Sequence, residues 1–300
     1  MQSPLYPPAG PESIGEVLDA GFRIFQSTLL RCLPYSVLAM IAGQLPNIYD
    51  LLLGHPLQQR GDRDAIWWTW YLVSLAVTIV LWSAVVLRQD GLCRGLHSTT
   101  RREAQAALVR LPQLAVLLVL AGAALLLIAP LLGAAALYLA PGLLQSSWPS
   151  IALSAFALSQ PQLWVSLAVV LAALGSYLTP GLMMAWPSLL LLQRGPIQAA
   201  THGVRLVRGH WWRTTAVLTV LTIVVLVLDT LAGVAAALVF TLSGQGDVAR
   251  AIAMAGATVI VASVVGMPLT CAFTLALFGE LRVRREGLDL ERRIHATVAT

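Results

Sequence analysis

From Leu111 to Gln193 the chain carries no charged residue and no histidine. No feature constrains the fold more tightly. A run this long cannot be buried as one helix inside a water-soluble domain, and it is too long for a single crossing of a bilayer. It must turn back within or beside a membrane. The rest of the chain agrees: 58% of residues are hydrophobic and 11% charged, against about 25% charged in ordinary soluble domains. A soluble fold of this size has too little interior to hide that much apolar surface.

Spans follow from the need for ~20 mostly apolar residues to cross a ~30 Å hydrocarbon core. Six are expected, at approximately 30–49, 65–87, 111–139, 163–192, 214–242 and 251–279. The first is marginal, with Pro34 and Pro46 near its ends and Arg31 placed to snorkel. The Pro-, Ser- and Gln-rich stretch around 147–160 is too short to cross and reads as a surface loop or a re-entrant segment. The fold class is therefore all-α, a polytopic transmembrane bundle with short cytoplasmic amphipathic helices. Residues 1–12 form an N-terminal tail, 13–279 the membrane domain and 280–300 a C-terminal helix.

Charge distribution orients the bundle. All nineteen basic residues are Arg. With six spans, sixteen fall on one side and three (Arg60, Arg63 and Arg250) on the other. By the positive-inside rule both termini face the cytoplasm of a bacterial inner membrane. The WWTW run at Trp67–Trp70 and the HWWR run at His210–Arg213 mark interfaces, where aromatic belts lie. The clusters sit within a few residues of membrane ends, where topology and anionic lipid head groups explain them, so lipid is the expected partner and nucleic acid is not.

Three segments read as cytoplasmic elbows, each followed by two spans, which would make the chain three similar units starting near 14, 100 and 196. Ser13 with Glu16, and Thr100 with Glu103, have the spacing of a capping box. In the first elbow Ile14, Val17, Leu18, Gly21, Phe22 and Phe25 share a face. In the third, Pro196 suits a first helical position, and Ile197, Ala200, Val204, Val207 and Trp211 line the apolar side.

Parts of the chain resemble a known family. SIGEVLDAGFRIFQ near the start, QRGPIQAATHGVRLVRGHWWR in the middle and LFGELRVRREGLDLE near the end resemble a bacterial multispan family that includes the glycerophosphodiester phosphodiesterase membrane domain. The last match is the most specific, although Phe278, Gly279 and Glu280 stand where Tyr, Tyr and Asp are usual, and His202 where Ser is common. The resemblance implies an inner-membrane helical protein of unassigned role. No stretch is long enough to hold the phosphodiesterase barrel, so it implies no catalysis.

Chemistry is sparse. Cys32, Cys93 and Cys271 lie far apart, and His202 and His210 lack metal-ligand spacing, so no metal and no cofactor is expected. No hydrolase, nucleotide-binding or metalloprotease motif is present. Asp229 is the one acid deep in an expected span, about 24 Å from Arg213 at ~1.5 Å per residue. That places it in the middle to outer half of the bilayer as a candidate ion or proton group. Pro180 and Gly181 could break the fourth span and free carbonyls for a substrate. Topology and anchoring are assigned to Arg205, Arg208, Glu280, Arg282, Arg284, Arg285, Glu286 and Asp289, with Glu280–Arg284 and Arg285–Asp289 at ion-pair spacing. The leading function is a non-enzymatic scaffold or subunit of an envelope complex, through other envelope proteins or self-association. The alternative is a transporter or channel for a small solute or lipid using Asp229 and the broken fourth span.

Overall fold

The structure, a computed structural model, describes residues 6, 8, 10–52, 65–96, 99–123, 179–242 and 248–287. Every regular element among them is helical: α1 (Ile14–Gly43), α2 (Leu45–Leu52), α3 (Ala65–Cys93), α4 (Thr100–Val109), α5 (Leu111–Ala123), α6 (residues 179–191), α7 (Pro196–Val207), α8 (Trp211–Leu242) and α9 (Val248–Glu286). Four of these helices are long and apolar enough to cross a membrane, or five if α4 and α5, bent by 60°, form one span. The chain is thus a multi-pass helical membrane protein. Most of the expected third and fourth spans, and the segment at 147–160, lie outside the described residues, as does the part of the C-terminal helix beyond Gly287.

The first elbow is not a separate surface helix. Ser13 caps α1 through a formed capping box with Glu16, and the helix then runs unbroken through Pro34 to Gly43. No Gly or Pro lies between Gln26 and Leu30 to break it, and the Ser27 and Thr28 hydroxyls bond back to the Ile24 carbonyl within the helix. The three-unit reading therefore fails in its first unit, since α4 and α7 are separate helices and the α1 elbow is not. The second capping box also fails to form. Thr99, not Thr100, caps α4, without a side-chain bond, and Glu103 is drawn away to Arg88 and Tyr35.

Helix α3 lies antiparallel to α1. Trp67 Nε1 donates to Asp50 Oδ2 (3.2 Å) at one end, and Gln89 Nε2 donates to Thr28 Oγ1 (3.3 Å) at the other. Helix α9 packs against both. Its Pro268 carbonyl accepts from Gln89 Nε2 (2.9 Å), and Phe273 packs edge-on to Phe22 at 4.9 Å. Gly21 makes that approach possible, because a Cβ there would stand 2.9 Å from the Phe273 ring. The last helix does not stop at 279: it continues to Glu286, and Gly287, at φ +63, closes it in the left-handed geometry favoured at that position.

Burial separates two regions. In α8 only 11% of the membrane-length window is buried, whereas in α9 72% is. Helix α9 is an internal post, and α8 faces out. Leu30, Leu38 and Ile41 of α1, Ile66, Trp68 and Leu72 of α3, and Leu226, Leu231 and Leu238 of α8 are all exposed, forming the apolar outer belt that a bilayer would cover. Toward the charged ends of these helices a dense core of Val17, Ile24, Met184, Leu206, Leu221, Phe273, Phe278 and Leu281 closes the bundle.

Candidate functional site

The charged end gathers most of the residues singled out from the sequence. Glu280 is fully buried. A carboxylate leaves water only when paired, because unpaired burial costs several kcal/mol. Its Oε1 accepts from Arg213 Nη2 of α8 at 3.2 Å and from Arg284 Nε one turn on. Both guanidiniums also donate to the carbonyl of Glu12, Arg284 at 2.8 Å. One carboxylate thereby ties α8, α9 and the segment before α1. Tyr6, 1% exposed, lies in the same seam. A Cβ on Gly279 would stand 2.3 Å from its ring, and Arg94 covers the ring at 5.5 Å. Glycine rather than a larger residue is what allows Tyr6 to lie against α9.

A second string lies a turn further along. His202, 2% exposed on α7, places Nε2 2.7 Å from Glu286 Oε1 and Nδ1 2.9 Å from Ser188 Oγ. Arg282 Nε donates to Glu286 Oε2 at 2.7 Å. Burial holds the His202 pKa below its ordinary value; the Glu286 bond opposes this, and nearby Arg194 reinforces it. In the neutral ring Nε2–H donates to Glu286, and the Ser188 hydroxyl donates to Nδ1. Protonation reverses the second bond, and the Ser188 hydroxyl then donates to the Met184 carbonyl, 2.8 Å away. Ser, His and Glu in a string resemble a nucleophile, base and orienting acid. Here, however, Ser188 is fully buried in α6, with no room for a substrate carbonyl, and the string acts as a latch joining α6, α7 and α9.

Backbone proximity explains the latch. A Cβ on Gly203 would lie 2.1 Å from the Gly181 carbonyl oxygen and 2.6 Å from the Ala185 nitrogen. One on Gly181 would lie 2.7 Å from Val204 Cγ2. Gly181 and Ala185 on α6, and Ala199 and Gly203 on α7, are each four apart, so two small-residue faces meet. The buried side of α7 is accordingly Ala199, His202, Gly203, Leu206 and Val207. This corrects the apolar face read from the sequence: Ile197 is 69% exposed. Gly181 serves helix packing, and Pro180 sits in a helical stretch.

The other assigned residues fall as follows. Arg285 Nη2 donates to the Arg208 carbonyl at the end of α7, while Asp289, its expected partner, lies outside the described residues. Arg205 and the Arg208 side chain point outward. Arg110 donates to the Leu189 carbonyl (3.1 Å) and to that of Leu190, satisfying carbonyls at the C-terminal end of α6. Beside His202 a recess of about 300 Å³ is lined by Arg194, Gln198, Thr201, His202 and Arg205.

Asp229 lines a different cleft of about 280 Å³, with Met183, Leu218, Thr222 and Thr270 among its walls. The Thr222, Thr230 and Thr270 hydroxyls donate to carbonyls of their own helices. On α8 Trp212 and several apolar residues from Ile223 onward are exposed, and Asp229 stands about 9 Å beyond Ile223 along the helix at ~1.5 Å per residue.

The sequence reading missed Tyr6, Glu12, Arg213, His202 with Ser188, and Gly203. Only the last had a visible signal, the paired small residues four apart. No group of three or more His, Cys, Asp or Glu side chains able to hold a metal occurs among the described residues. No protein-family model, curated protein or solved structure matches the chain.

Proposed function

We propose that this chain is a non-catalytic multi-pass protein of a bacterial cytoplasmic (inner) membrane, a scaffold or subunit of an envelope complex, with both termini on the cytoplasmic side. The observation that carries the reading is the Glu280 clasp. It spends a buried carboxylate, two guanidiniums and a main-chain carbonyl on fixing the segment before α1 against α8 and α9. Glu103 and Glu286 are likewise spent on Arg88 and Tyr35, and on His202 and Arg282. These acids make a rigid platform rather than a general base aimed at a substrate. The sixteen-to-three Arg asymmetry supports the orientation, and the resemblance to the multispan family is in keeping with a stand-alone membrane component. Crosslinking in native membranes followed by co-purification tests the reading. A discrete partner or a self-associated species is expected; a protein recovered only as an isolated monomer sinks it.

A second reading is a transporter or channel for a small solute or lipid. It is favoured by one observation: Asp229 opens onto a cleft shared by α6, α8 and α9. Against it, the neighbouring Thr hydroxyls are turned to their own backbones. An Asp229→Asn variant separates the two: full cellular function in that variant removes the ion-relay reading and leaves the scaffold reading intact.

A further inference from the structure

The recess beside His202 is unused by everything above. Its polar lining is two guanidiniums and an amide; the Thr201 hydroxyl donates to the Gln198 carbonyl at 3.0 Å, and both His202 ring nitrogens are bonded to Ser188 and Glu286. Gln198, Thr201, His202 and Arg205 project from one side of α7 at helical spacing. Arg194 joins them from the preceding turn, where Gln193 stands at φ +56, a left-handed conformation uncommon for a residue with a side chain.

Charge decides what such a recess can hold. Neither Arg194 nor Arg205 makes an ion pair or hydrogen bond among the described residues, although the same end of the bundle commits Arg213, Arg282 and Arg284 to acids. Glu286 is the acid facing the recess through His202, and Arg282 already grips it. Two guanidiniums with no counter-charge among the described residues, and an amide between them, suit a tetrahedral oxyanion that takes several charge-assisted bonds at once. The guanidiniums cannot ligate a metal, having no acceptor lone pair. Ile197, exposed one turn from Thr201, gives the rim an apolar edge of the kind that rests against acyl chains.

We propose that this recess binds a phosphoryl group, presented either by an anionic lipid head group or by a soluble phosphate ester. The site goes beyond the scaffold reading and does not depend on it.

The test uses the purified full chain in a zwitterionic detergent. One arm adds phosphatidylglycerol and, separately, phosphatidylcholine, with bound lipid read by native mass spectrometry. The other adds glycerol phosphate and reads both its binding and its ability to displace the lipid. The anionic ligand is expected to lose about tenfold or more in affinity in the Arg194→Gln/Arg205→Gln variant. An Arg101→Gln/Arg102→Gln variant, which removes two exposed charges from α4, is expected to stay within about twofold. Binding of phosphatidylglycerol alone assigns a lipid head group; binding and displacement by glycerol phosphate assign a soluble ester. Equal losses in the two double variants overturn the site, since they reduce it to general surface charge. Absence of binding in both arms overturns it too. Because the two guanidiniums have no partner among the described residues, the double variant is expected to unfold at the wild-type temperature. Should it not, the single variants Arg194→Gln and Arg205→Gln carry the same expectation at about threefold or more each, and a loss in neither overturns the proposal.

Discussion

The meeting of α6 and α7 can be tested with one methyl group. In Gly203→Ala the new Cβ would stand 2.1 Å from the Gly181 carbonyl oxygen, 2.6 Å from the Ala185 nitrogen and 3.1 Å from its Cα. Carbon-to-oxygen contacts normally lie at ~3.3 Å or more, so the helices must separate by roughly 1 Å. The opposing atoms are backbone and cannot rotate away. Overpacking of this kind costs about 1–3 kcal/mol. Separation also stretches the His202 bonds to Ser188 and Glu286, adding about 1–3 kcal/mol. Alanine returns up to ~1 kcal/mol over glycine inside a helix. The net is a destabilisation of about 2–4 kcal/mol, and at about 2–4 °C per kcal/mol the unfolding midpoint falls by several degrees. Gly15→Ala is the control, since nothing lies within 4 Å of its added Cβ, and the same propensity term leaves it neutral or up to ~1 kcal/mol more stable. The assay is thermal unfolding of both variants in detergent, followed by circular dichroism. The reasoning is refuted if Gly203→Ala melts at or above the wild type, or shifts in the same direction as Gly15→Ala.

Other perturbations read other parts of the charged end. Glu280→Gln leaves Arg213 and Arg284 without a counter-charge; they are 19% and 27% exposed, so the cost is discounted to about 2–3 kcal/mol. It should appear as a lower midpoint and faster proteolysis of the segment before α1. His202 is held neutral by burial, so the unfolded chain binds the extra proton first. Its contribution is complete above the unfolded pKa of ~6.5 and is lost as pH falls from there toward the depressed folded value. Melts from pH 7.5 to 5.5 should therefore show the wild type losing more stability than His202→Asn, in which Glu286, Arg282, Arg194 and Arg205 remain; parallel curves would refute the assignment. Gln193→Gly relieves the left-handed backbone at φ +56 and is expected to raise stability by ~0.5–1 kcal/mol, the strain relief exceeding the added freedom of the unfolded chain. An unchanged or lower midpoint counts against it.

Composition and span length made the helical membrane class legible, because they respond to the solvent rather than to any partner. Local signals did well where the partner is local: Ser13 with Glu16, Pro196 opening α7, and Glu280 four residues before Arg284. They failed where a distant element outbid them. Glu103 had cap spacing, yet a buried Tyr35 and Arg88 offered a better charge-assisted site. The apolar side of α7 was read from Ile197 and Val204, but backbone approach at Gly203 selects the small-residue side. Apolarity alone does not distinguish a core from a bilayer.

The clasp on Glu12 also has a meaning in time. Arg284 and Glu12 are 272 positions apart in the chain. At synthesis rates of about 5–20 residues per second, roughly 15–55 s separate the emergence of the two. For that interval α1 is inserted with Val17, Ile24 and the groove over Gly21 uncovered, since Phe273 has yet to be made. The early helix must be sheltered by lipid or by a chaperone until its internal post arrives. A slow codon run or a truncation upstream of α9 would lengthen the exposed period, so degradation of nascent chains should rise with the delay.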